Sequence, residues 1–344
     1  MQPGRRTRKS HRWLVLTVVT VTAGLAASAA AAAAWHPRAD HPAAPIAARS
    51  LSFPKFSLAP EHGVLFGATV QPTSSYALAG QESAVTGFDR KIGRRISIQE
   101  IYISWGEAMP LALMRWDRQH GILPMISLSS VRTTRITAGD DNAWIESAAR
   151  QLGSLHAPVM LRWFPEMALP KNKALAVSPH SYVAAWRHIQ DIFVRDRAGN
   201  VRWVWCPSAD DFATGLAQRF YPGKSYVDWV CADGYNWAPE RAVPWRSFAQ
   251  IFGTFYRWGL ATHKPLLIGE YGVLEGKRGE KGAWFRQAAR QIKSEFPAIR
   301  GLVYFNADSP DFGLHFNWTV TSSPSALAGF RVFATDRYFR ARPS

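Results

Sequence analysis

The sequence predicts an α/β fold, a closed (β/α)8 (TIM) barrel, and three observations carry that expectation. Eight short apolar runs recur along residues 61–344, amphipathic stretches lie between them, and eight such units over about 280 residues suit a closed barrel better than an open doubly wound sheet. The runs are residues 64–70, 98–103, 122–128, 158–164, 201–205, 229–233, 265–269 and 301–305. The helical stretches include 142–155, 178–194, 245–261, 281–296 and 326–339, several opened by Ser, Asp or Pro where a helix needs a cap. Alternation of the two element types implies a parallel sheet. An open dinucleotide-binding sheet is disfavoured, because Gly67-Ala68-Thr69 runs on to Gln71-Pro72 with no G-x-G-x-x-G after the first strand.

Ahead of the barrel, Arg5, Arg6, Arg8, Lys9 and Arg12 precede an uncharged run over residues 13–34 that ends in alanines. Residues 1–34 therefore read as a cleavable signal peptide or a retained membrane anchor, and either places the remainder outside the cytoplasm. Residues 35–60 hold five prolines and no period, the composition of a linker, and leave residues 61–344 as one catalytic domain. With 344 residues, 47% hydrophobic and 13% aromatic, the chain can bury a large core, and its 15 Trp offer flat, rigid surfaces as well as packing volume. Six Lys/Arg and one Asp lie in residues 1–40, so the rest carries 35 basic against 24 acidic residues, a net +11. The basic residues are scattered and no recognition helix stands out. Nucleic acid is thus disfavoured, and an acidic cell-envelope polymer is the expected counter-charge if the excess has a partner at all. Cys206 and Cys231 fall at the ends of predicted strands, either as buried thiols or as one disulfide.

Two glutamates stand at strand ends. Glu166 closes Val159-Met160-Leu161-Arg162-Trp163-Phe164-Pro165-Glu166, and Glu270 closes Pro265-Leu266-Leu267-Ile268-Gly269-Glu270. In a barrel of this kind the chemistry sits at the C-terminal ends of the strands, so both carboxyl groups are expected at the mouth. Acetal hydrolysis needs one carboxylic acid to protonate the leaving oxygen and a second carboxylate to attack or to activate water. A lone Glu after a buried strand would read as ordinary surface polarity; the pairing is what points to chemistry.

Around these residues the chain resembles glycoside hydrolase family 26, a family of retaining (β/α)8-barrel enzymes that includes β-mannanases and mixed-linkage β-glucanases. The motifs are R-W-F-P-E-M at 162–167, V-W-C-P-S at 204–208, Y-V-D-W-V-C-A-D-G-Y-N-W at 226–237 and K-P-L-L-I-G-E-Y-G at 264–272; G-L-V-Y-F-N at 301–306 and the stretch after Trp318 continue the likeness. The resemblance spans about residues 63–335. It implies Glu166 as acid/base at the end of strand four and Glu270 as nucleophile at the end of strand seven, the strands on which the count above also puts them. It further implies that Arg162 braces the acid and the sugar-binding floor, that Tyr235 donates a hydrogen bond near Glu270, and that Trp237 offers a stacking face. Pro165 stands where the family has His, and Ala168 where it usually has Asn. Proline has no donor, so the subsite beside the scissile bond is built differently here.

Trp105, at the end of the second strand, is a further candidate for a sugar subsite, with rim packing as its plain alternative. Asp210, Asp211 and Asp233 are candidate substrate hydrogen bonders or loop structure. The ten histidines lack metal-ligand spacing, and no cofactor or metal is expected. No G-x-S-x-G elbow supports serine esterase chemistry. The reading is a retaining endo-acting glycoside hydrolase of a β-linked polysaccharide, β-mannan or β-glucan in type; the alternative is a carbohydrate-binding or biosynthesis-associated barrel with little turnover.

Overall fold

The structure, a computed structural model, describes residues 57–72, 75–311 and 314–343. Residues 1–34 and most of the predicted linker lie outside the described residues. Eight parallel strands close into a barrel in sequence order: β1 (Leu65–Val70), β2 (Ile98–Ile103), β3 (Leu123–Leu128), β4 (Val159–Trp163), β5 (Val201–Trp205), β6 (Trp229–Asn236), β7 (Leu266–Val273) and β8 (Ile299–Asn306). Each strand expected from its apolar run is present. The largest differences are at β6 and β7, which run three and four residues further than the apolar signal, because their polar ends are still paired to each other.

Helices occupy the outside: α1 (Leu78–Ile92), α2 (Leu111–Gln119), α3 (Thr133–Ala138), α4 (Asn142–Gly153), α5 (Lys173–Ala176), α6 (Pro179–Arg195), α7 (Ala209–Ala213), α8 (Phe248–Leu260), α9 (Glu280–Glu295) and α10 (Pro324–Thr335). The best-marked starts in sequence are real caps. Ser178 and Ser323 each accept a backbone N–H from three residues on, and Ser247 forms a reciprocal capping box with Gln250. A short hairpin, β9 (Asp308–Asp311) and β10 (Leu314–Asn317), follows β8 at the mouth. Among the described residues, no helix is long and apolar enough to cross a membrane.

The main core lies between barrel and helices, where Phe66, Trp163, Trp186, Trp205, Tyr271 and Trp284 are fully buried. A second core fills the lower barrel with Leu65, Ile98, Met125, Met160, Trp229 and Leu267, against which Leu58 packs. This plug closes one end, so only the other end of the interior is open to build a polar site.

Candidate active site

Inward-facing positions alternate along each strand, so the residues two or four steps above the apolar plug form the next interior layer. That layer is polar: Thr69 on β1, Glu100 on β2, Ser127 on β3, Arg162 on β4 and Asp233 on β6. Arg162 is its centre. With its side chain fully buried, it donates from Nη2 to Glu100 Oε1 at 2.5 Å, from Nη1 to Asp233 Oδ1 at 2.6 Å, from Nε to Ser127 Oγ at 2.8 Å, and from Nη2 also to Glu270 Oε1. Glu100 is held in turn by Thr69 Oγ1 at 2.5 Å and Ser127 Oγ at 2.6 Å.

One guanidinium among three carboxylates cannot balance them all. Burial pushes Glu100 up to about 7 and Asp233 well above the carboxylate range, in each case against the pull of Arg162. For Glu270 burial acts in the same direction, but Arg162, Tyr235 and Tyr102 outweigh it and hold the carboxyl below its usual value. Tyr102 donates to Glu270 Oε1 at 2.8 Å and Tyr235 donates to Oε2, so Glu270 takes three donors. It is the carboxylate of this cluster that stays charged.

The backbone explains how Glu270 comes to face inward. Alternation along β7 would point Leu267 and Gly269 into the barrel and Glu270 outward. The pairing of β6 with β7 breaks register between Ala232 and Asp233, so that Ala232 faces Ile268 but Asp233 faces Glu270, skipping Gly269. Cys206 and Cys231 form a disulfide beneath this point. A Cβ at position 269 would collide with Cys231 Sγ and stand 2.7 Å from Cys206 Sγ and 2.8 Å from Asp233 Oδ1. Glycine is therefore required where the disulfide presses against β7, and the bulge there turns Glu270 beside Asp233.

Glu166 is positioned by other means. It lies three residues beyond β4 in a turn where both Phe164 (φ 45°) and Glu166 (φ 51°) are left-handed, a conformation that costs energy for any residue with a Cβ. The turn is pinned to both neighbouring strands: Phe164 N–H donates to Leu128 O at 2.8 Å and Glu166 N–H to Cys206 O at 2.9 Å. Its carboxyl is half-buried and has no hydrogen-bond partner among the described residues. Burial, and then the negative charge of Glu270, raise it to about 7, while Lys171 and Arg162 pull the other way.

The structure places the remaining predicted residues unevenly. The resemblance implies that Arg162 braces the acid and the sugar-binding floor; in the structure its guanidinium is sealed from solvent and donates to Glu270, with no hydrogen bond to Glu166. Tyr235 meets Glu270 as expected and packs on Trp318 and Phe305, with ring centroids 5.0 and 5.9 Å away. Trp237 adjoins this wall, 4.9 Å from Trp318, but the Arg241 guanidinium lies 3.4 Å over its ring, so one face is already covered. Trp105 stacks on Trp144 at 4.4 Å and joins the core, which is rim packing. Asp210 is engaged by Arg246 at 2.6 Å.

The barrel and its buried carboxylates can now be set beside known proteins. Residues 142–264 match the model of glycosyl hydrolase family 26. The chain is 29% identical over 265 residues to Endoglucanase H of Acetivibrio thermocellus, covering 73% of this chain and 29% of that one. It is 26% identical over 200 residues to the β-1,3-xylanase TXYA of a Vibrio species, covering 50% of this chain and 40% of that one. The chain is thus similar to glycosyl hydrolase family 26 over the matched segment. It spans less than half the length of these two relatives. Among solved structures, the modular endo-β-1,4-mannanase of Cellulomonas fimi shares the barrel with a TM-score of 0.60 at 16% identity, over 80% of this chain and 71% of that one.

Two residues of this site were not picked out from sequence. Glu100 sits in Ile98-Gln99-Glu100-Ile101, where a lone carboxylate in an apolar strand reads as its solvent side; that the interior of a barrel can be polar near its mouth was the missing signal. Tyr102 is 47% exposed, which hides the fact that its hydroxyl reaches Glu270.

Proposed function

We propose that the chain is a retaining, endo-acting hydrolase of a β-linked polysaccharide, with Glu270 as nucleophile and Glu166 as acid/base. The observation that carries this reading is the opposite titration of the two carboxyls: Glu270 is held below its usual range by three donors, whereas Glu166 is raised to about 7 in a site without one. Two titratable groups driven apart in this way are suited to act as base and acid at one pH. In the first step a Glu270 oxygen attacks the anomeric carbon while Glu166 gives its proton to the leaving oxygen, forming a glycosyl ester and releasing the leaving chain. In the second, Glu166 takes a proton from water, the water oxygen attacks the same carbon, and Glu270 departs as carboxylate.

Of the relatives' names, an endoglucanase, a β-1,3-xylanase and an endo-β-1,4-mannanase, two give an internal cut and two a β linkage, but they name three different sugars, so the reading stops at an internal cut in a β-linked polysaccharide. We read residues 61–344 as the catalytic domain, delivered outside the cytoplasm by residues 1–34 through the linker at 35–60. The test is a 2-deoxy-2-fluoro β-glycoside carrying a good leaving group. Mass spectrometry should find the fluorosugar on the peptide containing Glu270, and NMR should show the β-anomer as first product from a β-glycan. An α-anomer, or label elsewhere, overturns the mechanism.

A further inference from the structure

Immediately behind the acid/base turn a cavity of about 260 Å3 opens between the β4 loop, the start of α6 and the 3-10 turn at Ala217–Phe220. Its inner wall is apolar, formed by Met167, Ala168 and Phe220, and two exposed cations, Lys173 and Arg219, stand at its rim. Neither cation has an ion pair or a side-chain hydrogen bond among the described residues. Elsewhere on the surface Arg135, Arg150, Arg195, Arg246 and Lys293 are each matched to a carboxylate within 3.0 Å. The carboxylates of the next loop do not supply the missing charge. Asp210 is engaged by Arg246, and Asp211 is raised by burial and then by Asp210. Lys171, on the same loop as Lys173, acts electrostatically on Glu166, so this basic sector and the acid share one field. Met167 and Ala168 directly follow Glu166, and the small side chain at 168, one of the two departures from the family pattern near the acid, leaves the cavity its room.

We propose that this cavity is a subsite for an anionic sugar, a carboxylate-bearing pyranose unit of the polysaccharide, next to the turn that carries Glu166. The proposal rests on the functional reading above only for the polymer that presents the unit. The apolar wall takes a face of the ring, and the two cations take the carboxylate through charge-assisted hydrogen bonds that a neutral hydroxymethyl would not replace. The volume suits one ring, being below that of clefts that engulf whole drug-sized ligands. The net basic charge left unexplained by the chemistry of the mouth thereby gains a local use.

The test uses binding, so that it does not depend on turnover. Affinity of the Glu270→Gln protein is measured for three polymers: a neutral mixed-linkage β-glucan, the same glucan with its C6 hydroxymethyls oxidised to carboxylates, and the same glucan sulfated. The oxidised glucan should bind about tenfold more tightly than the neutral one, an order set by one or two charge-assisted contacts. The Lys173→Ala/Arg219→Ala variant should lose that preference and keep its affinity for the neutral polymer. Lys277→Ala/Arg278→Ala, which removes two exposed cations from the β7 loop, should keep the preference. Equal binding of neutral and oxidised glucan overturns the proposal. So does a preference that survives the first double substitution or falls equally with the second, since either means attraction by overall charge. A stronger preference for the sulfated polymer would overturn the carboxylate assignment. If Glu270→Gln still cleaves glucan, the nucleophile assignment fails while the affinity differences remain readable.

Discussion

Glu166 lies past the end of β4 on a left-handed turn, with a half-buried carboxyl that meets no donor among the described residues; Glu270 lies within β7, deep in the mouth, and takes three donors. Both are glutamates near one cavity mouth, and burial pushes both upward. What separates them is the supply of donors. Arg162 and two tyrosines compensate the charge of one, and the turn leaves the other to hold its proton. The difference teaches that in this barrel the charge state of each carboxyl is set by the donors that reach it, three for Glu270 within β7 and none among the described residues for Glu166 on its turn.

The sharpest way to break the comparison is to remove each carboxylate. Glu270→Gln should abolish turnover by several orders of magnitude on polysaccharide and on activated aryl glycosides alike, with an unchanged fold by circular dichroism, because an amide of the same shape cannot attack carbon. Glu166→Ala should cost about 10²- to 10⁴-fold on polysaccharide, the usual worth of a general acid, but retain the glycosylation rate on an aryl glycoside whose leaving group needs no proton. Steady-state and burst kinetics on the two substrates separate these outcomes, and equal losses in both variants would remove the distinction.

A subtler change weakens Glu270's surroundings without touching it. Tyr235→Phe should lower kcat/KM by about 10- to 100-fold, the equivalent of one hydrogen bond to a charged group. It should also move the acidic limb of the pH profile upward, since the lost donor favoured the ionised form. The profile itself follows from the two shifts. On the proposed roles, activity requires Glu270 ionised, which holds down to below its ordinary 4.5, and Glu166 protonated, which is lost as pH rises through about 7. The rate of wild type on polysaccharide should therefore fall above neutrality, and this fall should vanish in Glu166→Ala on activated glycosides. A profile flat through pH 8 on polysaccharide would refute the raised carboxyl. The smallest expected effect is structural: Gly269→Ala should cost about 1–3 kcal/mol of stability by overpacking, read by urea unfolding, because its methyl meets the disulfide and Asp233.

The same contrast decides what was readable in advance. Apolar runs announced all eight strands, since a parallel strand buried on both faces must be apolar almost throughout; they also put Glu166 and Glu270 on the fourth and seventh strands. They ran short at β6 and β7, whose last residues, Gly234 to Asn236 and Glu270 to Val273, pair within the mouth where polarity is tolerated. Helices α1 and α2 escaped notice, their starts at Ala77 and Pro110 having no side-chain cap to mark them.

By itself, then, the amino-acid sequence determined the barrel, the order of its strands and the two carboxylates at its open end, because burial pattern and strand-end position are local properties of the chain. Only the tertiary structure decided that Arg162 serves Glu270 rather than Glu166, that Glu100 and Tyr102 belong to the site, that Cys206 and Cys231 are joined, and that a bulge at Gly269 turns Glu270 inward. Those are relations between residues 25 to 168 positions apart. They depend on the register and closure of eight strands, which set which inward side chains meet across the barrel, and the alternation within any single strand carries no record of that.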